Sequence, residues 1–80
     1  MSVRLVFLGK LADLAGGAER EVAGPLDWAG LCAVLGSDLA RVVADPAVRV
    51  ACSGTVLADK RDLSAGDGDE VALLPPVSGG

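Results

Sequence analysis

Val3-Arg4-Leu5-Val6-Phe7-Leu8 has the length and the β-branched and aromatic content of a strand, with Val3, Leu5 and Phe7 forming one apolar face. The other face carries Arg4, Val6 and Leu8 and is only partly polar. Gly9 ends this strand, and Lys10 to Ala15 can turn helically with Leu11 and Leu14 three apart on one side. Gly16-Gly17 breaks the chain, and Glu19-Arg20-Glu21-Val22-Ala23 reads as a more polar strand returning on the first as a hairpin, closed by Gly24-Pro25. Asp27 is placed as a helix N-cap. Trp28, Leu31, Cys32 and Leu35 follow at i, i+3, i+4 and i+7, the stripe of an amphipathic helix. Gly36 suits its C-terminal end.

A second short helix is predicted from Ser37 or Asp38 as cap, with Leu39, Val42 and Val43 as its apolar side. Asp45-Pro46 stops it, because the residue before proline is pushed out of the α region. Val48-Arg49-Val50-Ala51-Cys52 alternates again, with Val48, Val50 and Cys52 on one face. Ser53-Gly54 is a two-residue hairpin turn, and Thr55 to Ala58 is the return strand. Asp59 to Gly68 is polar apart from Leu63, and Gly66-Asp67-Gly68-Asp69 is a turn cluster. Glu70-Val71-Ala72-Leu73-Leu74 is the last strand. Two hairpins around one main helix make an α+β domain, a mixed sheet of about five strands with one face packed on the helix. The domain is expected to span residues 1–74, with residues 75–80 as an extended, flexible tail.

Size and composition narrow the function classes. Eighty residues hold a single core. With 51% hydrophobic residues the chain is not of disordered type, and with Phe7 and Trp28 as its aromatic residues the core is aliphatic. The net charge is −4, and the seven lysines and arginines are scattered, which argues against nucleic-acid binding. The run Val3 to Leu8 is too short for a secretory leader, and no stretch approaches the ~20 apolar residues of a membrane span. The expectation is a cytoplasmic protein. Cys32 and Cys52 belong to no CxxC pair, and with no histidine in the chain they read as buried free thiols.

The motifs that suggest catalysis fail on inspection. Gly9-Lys10 is followed by Leu11 and lacks the upstream glycine of a phosphate-binding loop. Gly66-x-Gly68 precedes a strand where a dinucleotide site requires a helix, and Asp67 to Glu70 lacks the spacing of a calcium loop. Without histidine no Ser-His or Cys-His pair exists. Two cysteines are too few to ligate an iron–sulfur cluster.

What remains is the end of the chain. Leu74 runs into the stiff step Pro75-Pro76, then the small residues Val77 and Ser78, then Gly79-Gly80. Glycine admits close approach of other groups, and an extended Pro-Pro segment lowers the entropy cost of threading into a cleft. The carboxylate of Gly80 is therefore the candidate reactive group, with Gly79 giving access to it. A carboxylate is a poor electrophile until a partner adenylates it.

Two segments carry a family resemblance. Leu63-x-x-Gly66-Asp67-x-Asp69-Glu70-Val71-Ala72-x-x-Pro75-Pro76-Val77-Ser78-Gly79-Gly80 resembles the C-terminal signature of the molybdopterin synthase small subunit, and Val3 to Gly16 is similar to that family's first strand and following turn. The resemblance implies a ubiquitin-like β-grasp fold. It implies that an ATP-dependent activating enzyme adenylates Gly80, and that the resulting thiocarboxylate donates sulfur to a pyranopterin precursor inside the large synthase subunit. Catalytic side chains would belong to those two partners, and the chain itself would bind no cofactor. Members of the family often carry asparagine where Ser53 stands, and a serine hydroxyl can make a similar local turn bond.

If the first and last strands are neighbours, Val6, Leu8, Ala72, Leu74 and Pro75 form an outward apolar patch continuous with Pro76, Val77 and Ser78, as partner sites usually are. Three alternatives share the same end of the chain: a sulfur carrier for thiamine, cysteine or tRNA thiolation, a ubiquitin-like protein modifier, and an interaction domain with an inert tail.

Overall fold

The structure, a computed structural model, describes residues 1–76. Strand β1 (Ser2–Phe7) leads into the one-turn helix α1 (Lys10–Ala15) and returns as β2 (Glu19–Ala23). A two-residue strand β3 (Leu26–Asp27) opens into α2 (Trp28–Leu35) and α3 (Ser37–Ala44). The chain then forms β4 (Arg49–Cys52), β5 (Thr55–Val56), a 3-10 turn (Lys60–Asp62), β6 (Ser64–Ala65) and β7 (Glu70–Leu74). Five strands make one mixed sheet in the order β2-β1-β7-β4-β5, and β3 pairs with β6 as a separate two-stranded ribbon.

The alternation in β1 holds as expected, with Val3, Leu5 and Phe7 almost fully buried. Val71 and Leu73 of β7 and Val50 of β4 are buried on the same side of the sheet, and Val48, just before β4, is buried with them. Leu31 and Leu35 of α2 and Leu39 and Val43 of α3 close this aliphatic core from the other side, and Leu63 and Ala65 seal its end. The N-cap is as read: the Asp27 carboxylate accepts the Gly30 N–H at 2.8 Å.

Four expectations change. Leu14 is 60% exposed where Leu11 is buried, because α1 ends one residue later and brings only its first turn against the sheet. Val42 faces solvent, since Leu39 and Val43 at i and i+4 already fill the buried stripe of α3. Neither Ser37 nor Asp38 caps α3 with its side chain; Gly36, at φ +85°, ends α2 and is followed directly by α3. Cys32 and Cys52 are free but half-buried, packed at the edge of the core.

Ser53 and Gly54 both have positive φ, +48° and +88°, the geometry of a tight primed hairpin turn. The return strand is shorter than expected and ends at Val56. The Ser53 hydroxyl does not bond within its own turn. It donates to the Asp69 carboxylate at 2.9 Å, and Asp69 also accepts the Gly66 N–H at 2.7 Å. These two bonds, the Gly66 one first, hold the Asp69 carboxyl below the usual carboxylate pKa.

Asp69 thus ties the β4–β5 turn to the loop before β7 only while ionised. A depressed folded pKa means that its contribution is complete above the unfolded value of about 3.9 and is lost as pH falls through the folded value. Thermal melts on the acid side should show wild type losing stability over that range. Asp69→Asn should begin less stable at neutral pH and follow a flatter acid slope. Parallel curves for the two proteins would remove Asp69 from the acid response.

Lys60 is a second staple, one that no local pattern singles out. Its ammonium donates to the carbonyl oxygens of Val43 (2.7 Å), Val48 (3.0 Å) and Asp45, fastening the 3-10 turn to the end of α3, and it lies over the Trp28 ring. Desolvation pulls its pKa below the ordinary lysine value, with Asp45 the strongest opposing charge.

Candidate functional site

The outer face of the sheet is assembled by register. In the parallel pairing of β1 with β7, Val6 stands beside Ala72 and Phe7 beside Leu73, and the Leu8 N–H donates to the Leu73 carbonyl at 3.2 Å. In the antiparallel pairing of β4 with β7, Ala51 stands beside Ala72 and Arg49 beside Leu74. Ala51 in turn pairs with Val56. Because cross-strand partners share a face, an apolar row runs Val6, Ala72, Ala51, Val56 across four strands.

Leu8 is 40% exposed and Val56 52% exposed, Val6, Ala72, Leu74 and Pro75 are half-buried, and Pro76 is exposed. The structure therefore brings together all five residues expected of the patch. It adds Val56, with Ala51 on the same face beneath it although nearly buried, a membership that depends on β4 lying next to β7, a long-range pairing that local alternation does not reveal. Val77, Ser78, Gly79 and Gly80 lie outside the described residues.

Arg4 closes the patch at the end where β1 and β7 begin. It bridges Glu19 at 3.1 Å and Glu70 at 3.5 Å. All three side chains are about half exposed, so this trio contributes little to stability and chiefly makes that border polar.

At the other end the chain leaves the sheet. β7 is the central strand, so Pro75 departs from the middle of the apolar face. Gly9 lies against it: a Cβ built on Gly9 would meet the Pro75 ring at 3.2 Å. Gly9 also has φ +55° and ψ −131°, a region that a side chain makes costly. The positive φ favours glycine at the turn that seats the root of the tail, and a side chain there would also push the Pro75 ring by a few tenths of an ångström. Gly9→Ala is expected to cost about 1–3 kcal/mol from backbone strain, before any shift of Pro75. Denaturant unfolding measures that loss, and a midpoint equal to wild type would show the turn to be relaxed.

Among the described residues no cluster of three or more His, Cys, Asp or Glu side chains is placed to hold a metal ion. No described helix is long and apolar enough to cross a membrane.

Comparison with known proteins agrees with this geometry. A model of the ThiS family matches residues 5–80. The chain belongs to the ThiS family. SAMP1 from Haloferax volcanii superposes on it with a TM-score of 0.76 at 31% identity, over 100% of both chains. A second structure of H. volcanii small archaeal modifier protein 1 gives a TM-score of 0.68 at 29% identity, over 95% of this chain and 98% of that one. A complex of subunits 1 and 2 of molybdopterin-converting factor from Helicobacter pylori contains a chain with TM-score 0.68 and 24% identity, covered fully on both sides, a likeness of fold. No curated protein is similar enough to count as a match. The fold is the ubiquitin-like β-grasp, and this ThiS-family chain is a ubiquitin-like sulfur carrier or modifier.

Proposed function

We propose that this chain is the small, sulfur-carrying subunit of molybdopterin synthase, with Gly80 as the group that is loaded and unloaded. The observation that carries the reading is the path of β7: the central strand of an apolar outer face runs into Pro75-Pro76 and on to Gly79-Gly80. The domain, residues 1–74, is the docking body, and residues 75–80 are the part that enters a partner's cleft. A carboxylate oxygen of Gly80 attacks the α-phosphorus of ATP on the activating enzyme and pyrophosphate leaves. A sulfur nucleophile then displaces AMP, leaving a thiocarboxylate. The large subunit receives this tail and directs the sulfur to a pyranopterin precursor.

Among the described residues no side chain is singled out for these steps. It contains no histidine, and the acids Asp59 and Asp69 with depressed pKa values are engaged in structural turns. ATP belongs to the activating enzyme. The H. pylori neighbour, itself in a two-subunit complex, supports a large-subunit partner. Likeness to SAMP1 at 31% identity favours a second reading, in which the activated Gly80 carbonyl is transferred to lysine amines of other proteins.

Intact mass separates the two. Protein isolated from its host should include a species with one oxygen exchanged for sulfur at the C-terminus, and incubation with the large subunit and the pterin precursor should return it to the carboxylate. Persistent thiocarboxylate in that incubation, together with Gly80 recovered on substrate lysines, would favour the modifier.

A further inference from the structure

The charges of this acidic chain are sorted along its strands. Asp67, Asp69, Glu70 and Glu21 lie where β1 and β7 begin, with the Ser2 N–H donating to Asp67 at 2.8 Å, and the one cation among them, Arg4, is bridged to Glu70 and Glu19. The opposite end, where β7 leaves the sheet, is basic. Arg49 stands directly beside Leu74 in the β4–β7 register, and Lys10 follows Gly9, which touches Pro75. Both residues are exposed, and among the described residues neither takes part in an ion pair.

The neighbouring charges are already engaged or lie apart. Asp59 is held by Arg61 at 3.3 Å, and the Asp45 carboxylate accepts the Ala47 N–H. Lys60 is consumed by three carbonyls. Asp13 lies one turn along α1 from Lys10 without bridging to it. Two cations that pair with no carboxylate among the described residues thus straddle the root of the tail in a protein of net charge −4.

We propose that Lys10 and Arg49 dock on carboxylates at the mouth of the cleft through which the ATP-dependent adenylating enzyme receives the tail. The proposal rests on the docking function argued above and adds the chemistry of the partner's rim. The phosphates of ATP are not the group these cations meet. The five residues from Pro76 to Gly80 can span up to roughly 16 Å when extended, a reach that lets the reacting carboxylate enter a cleft while the cations stay at the entrance. Charges at the border of an apolar contact set the encounter rate and the orientation more than the final affinity. Here they turn the tail-bearing end of an acidic body toward the partner.

The test follows ATP–pyrophosphate exchange by the host's adenylating enzyme as a function of this protein's concentration. Lys10→Glu with Arg49→Glu should lower kcat/KM about tenfold or more at low ionic strength, leave kcat nearly unchanged, and flatten the salt dependence. The gap should close as salt shortens the screening length. Arg41→Glu, on the exposed side of α3, alters net charge as much as Arg49→Glu does and serves as the reference. If Arg49→Glu and Lys10→Glu behave like Arg41→Glu while Leu8→Asp abolishes exchange, the cationic rim is wrong and the docking face stands. If Leu8→Asp also leaves exchange intact, the docking function itself fails.

Discussion

Deletion of Gly80 is expected to leave a folded domain that no longer accepts sulfur. Among the described residues every fully buried large side chain lies between Val3 and Leu73, and Lys60 and Asp69 staple the loops from within the domain. Thermal unfolding should therefore be unchanged. Activity should not. The deletion moves the terminal carboxylate back by one residue, about 3.3–3.6 Å along an extended chain. Misplacement of a reacting group by about 1 Å can cost a hundredfold, so exchange with the adenylating enzyme should fall by at least that factor. Gly79→Val should show a related defect for a different reason, since a branched side chain narrows the backbone conformations and the approach that the partner's cleft requires. A truncated chain adenylated at the wild-type rate would show that Gly80 is not the reactive end.

Much of this site was legible in the sequence because its determinants are local. A strict period of two in Val3, Leu5 and Phe7 places Val6 and Leu8 outward whatever β1 pairs with, and the same holds for Val71 and Leu73 against Ala72 and Leu74. Asp27 as a cap and Ser53-Gly54 as a primed turn are decided within four residues.

The features that escaped depend on distant partners. Two-residue strands such as β3 and β6 have no periodicity to detect, and they pair Leu26 with Ala65 across the whole helical segment. Lys60 looks like any surface lysine until α3 ends beside it. Leu14 and Val42 carry the apolar signal of a helix face without being buried, because spacing reports a stripe and not how much of it a short helix covers. The patch itself was half visible: its β1 and β7 members followed from alternation, whereas Ala51 and Val56 required the strand order.

The strand order makes the apolar face the second place where a single change should have a large effect. Leu8→Asp and Leu74→Asp are expected to weaken binding to the large subunit and to the adenylating enzyme by about 2–4 kcal/mol each, the range of an interface hot spot, or roughly thirtyfold to a thousandfold in Kd. Burying a leucine is worth about 1.5–3 kcal/mol, and an aspartate left in its place without a partner adds a desolvation cost. The fold should tolerate both changes, since each side chain lies on the face away from the fully buried Phe7 and Leu73. Leu8, already 40% exposed, gives the cleaner comparison, and circular dichroism with thermal melts checks it. Thr55→Asp, in the exposed hairpin at the far edge of the sheet, should leave Kd near wild type if the contact is local to the tail root. The salt response separates this effect from that of the basic rim: an apolar contact loses affinity by a factor nearly independent of ionic strength, whereas the Lys10 and Arg49 variants converge on wild type as salt rises. Calorimetric Kd values for Leu8→Asp within twofold of wild type for both partners would move the docking surface elsewhere on the domain.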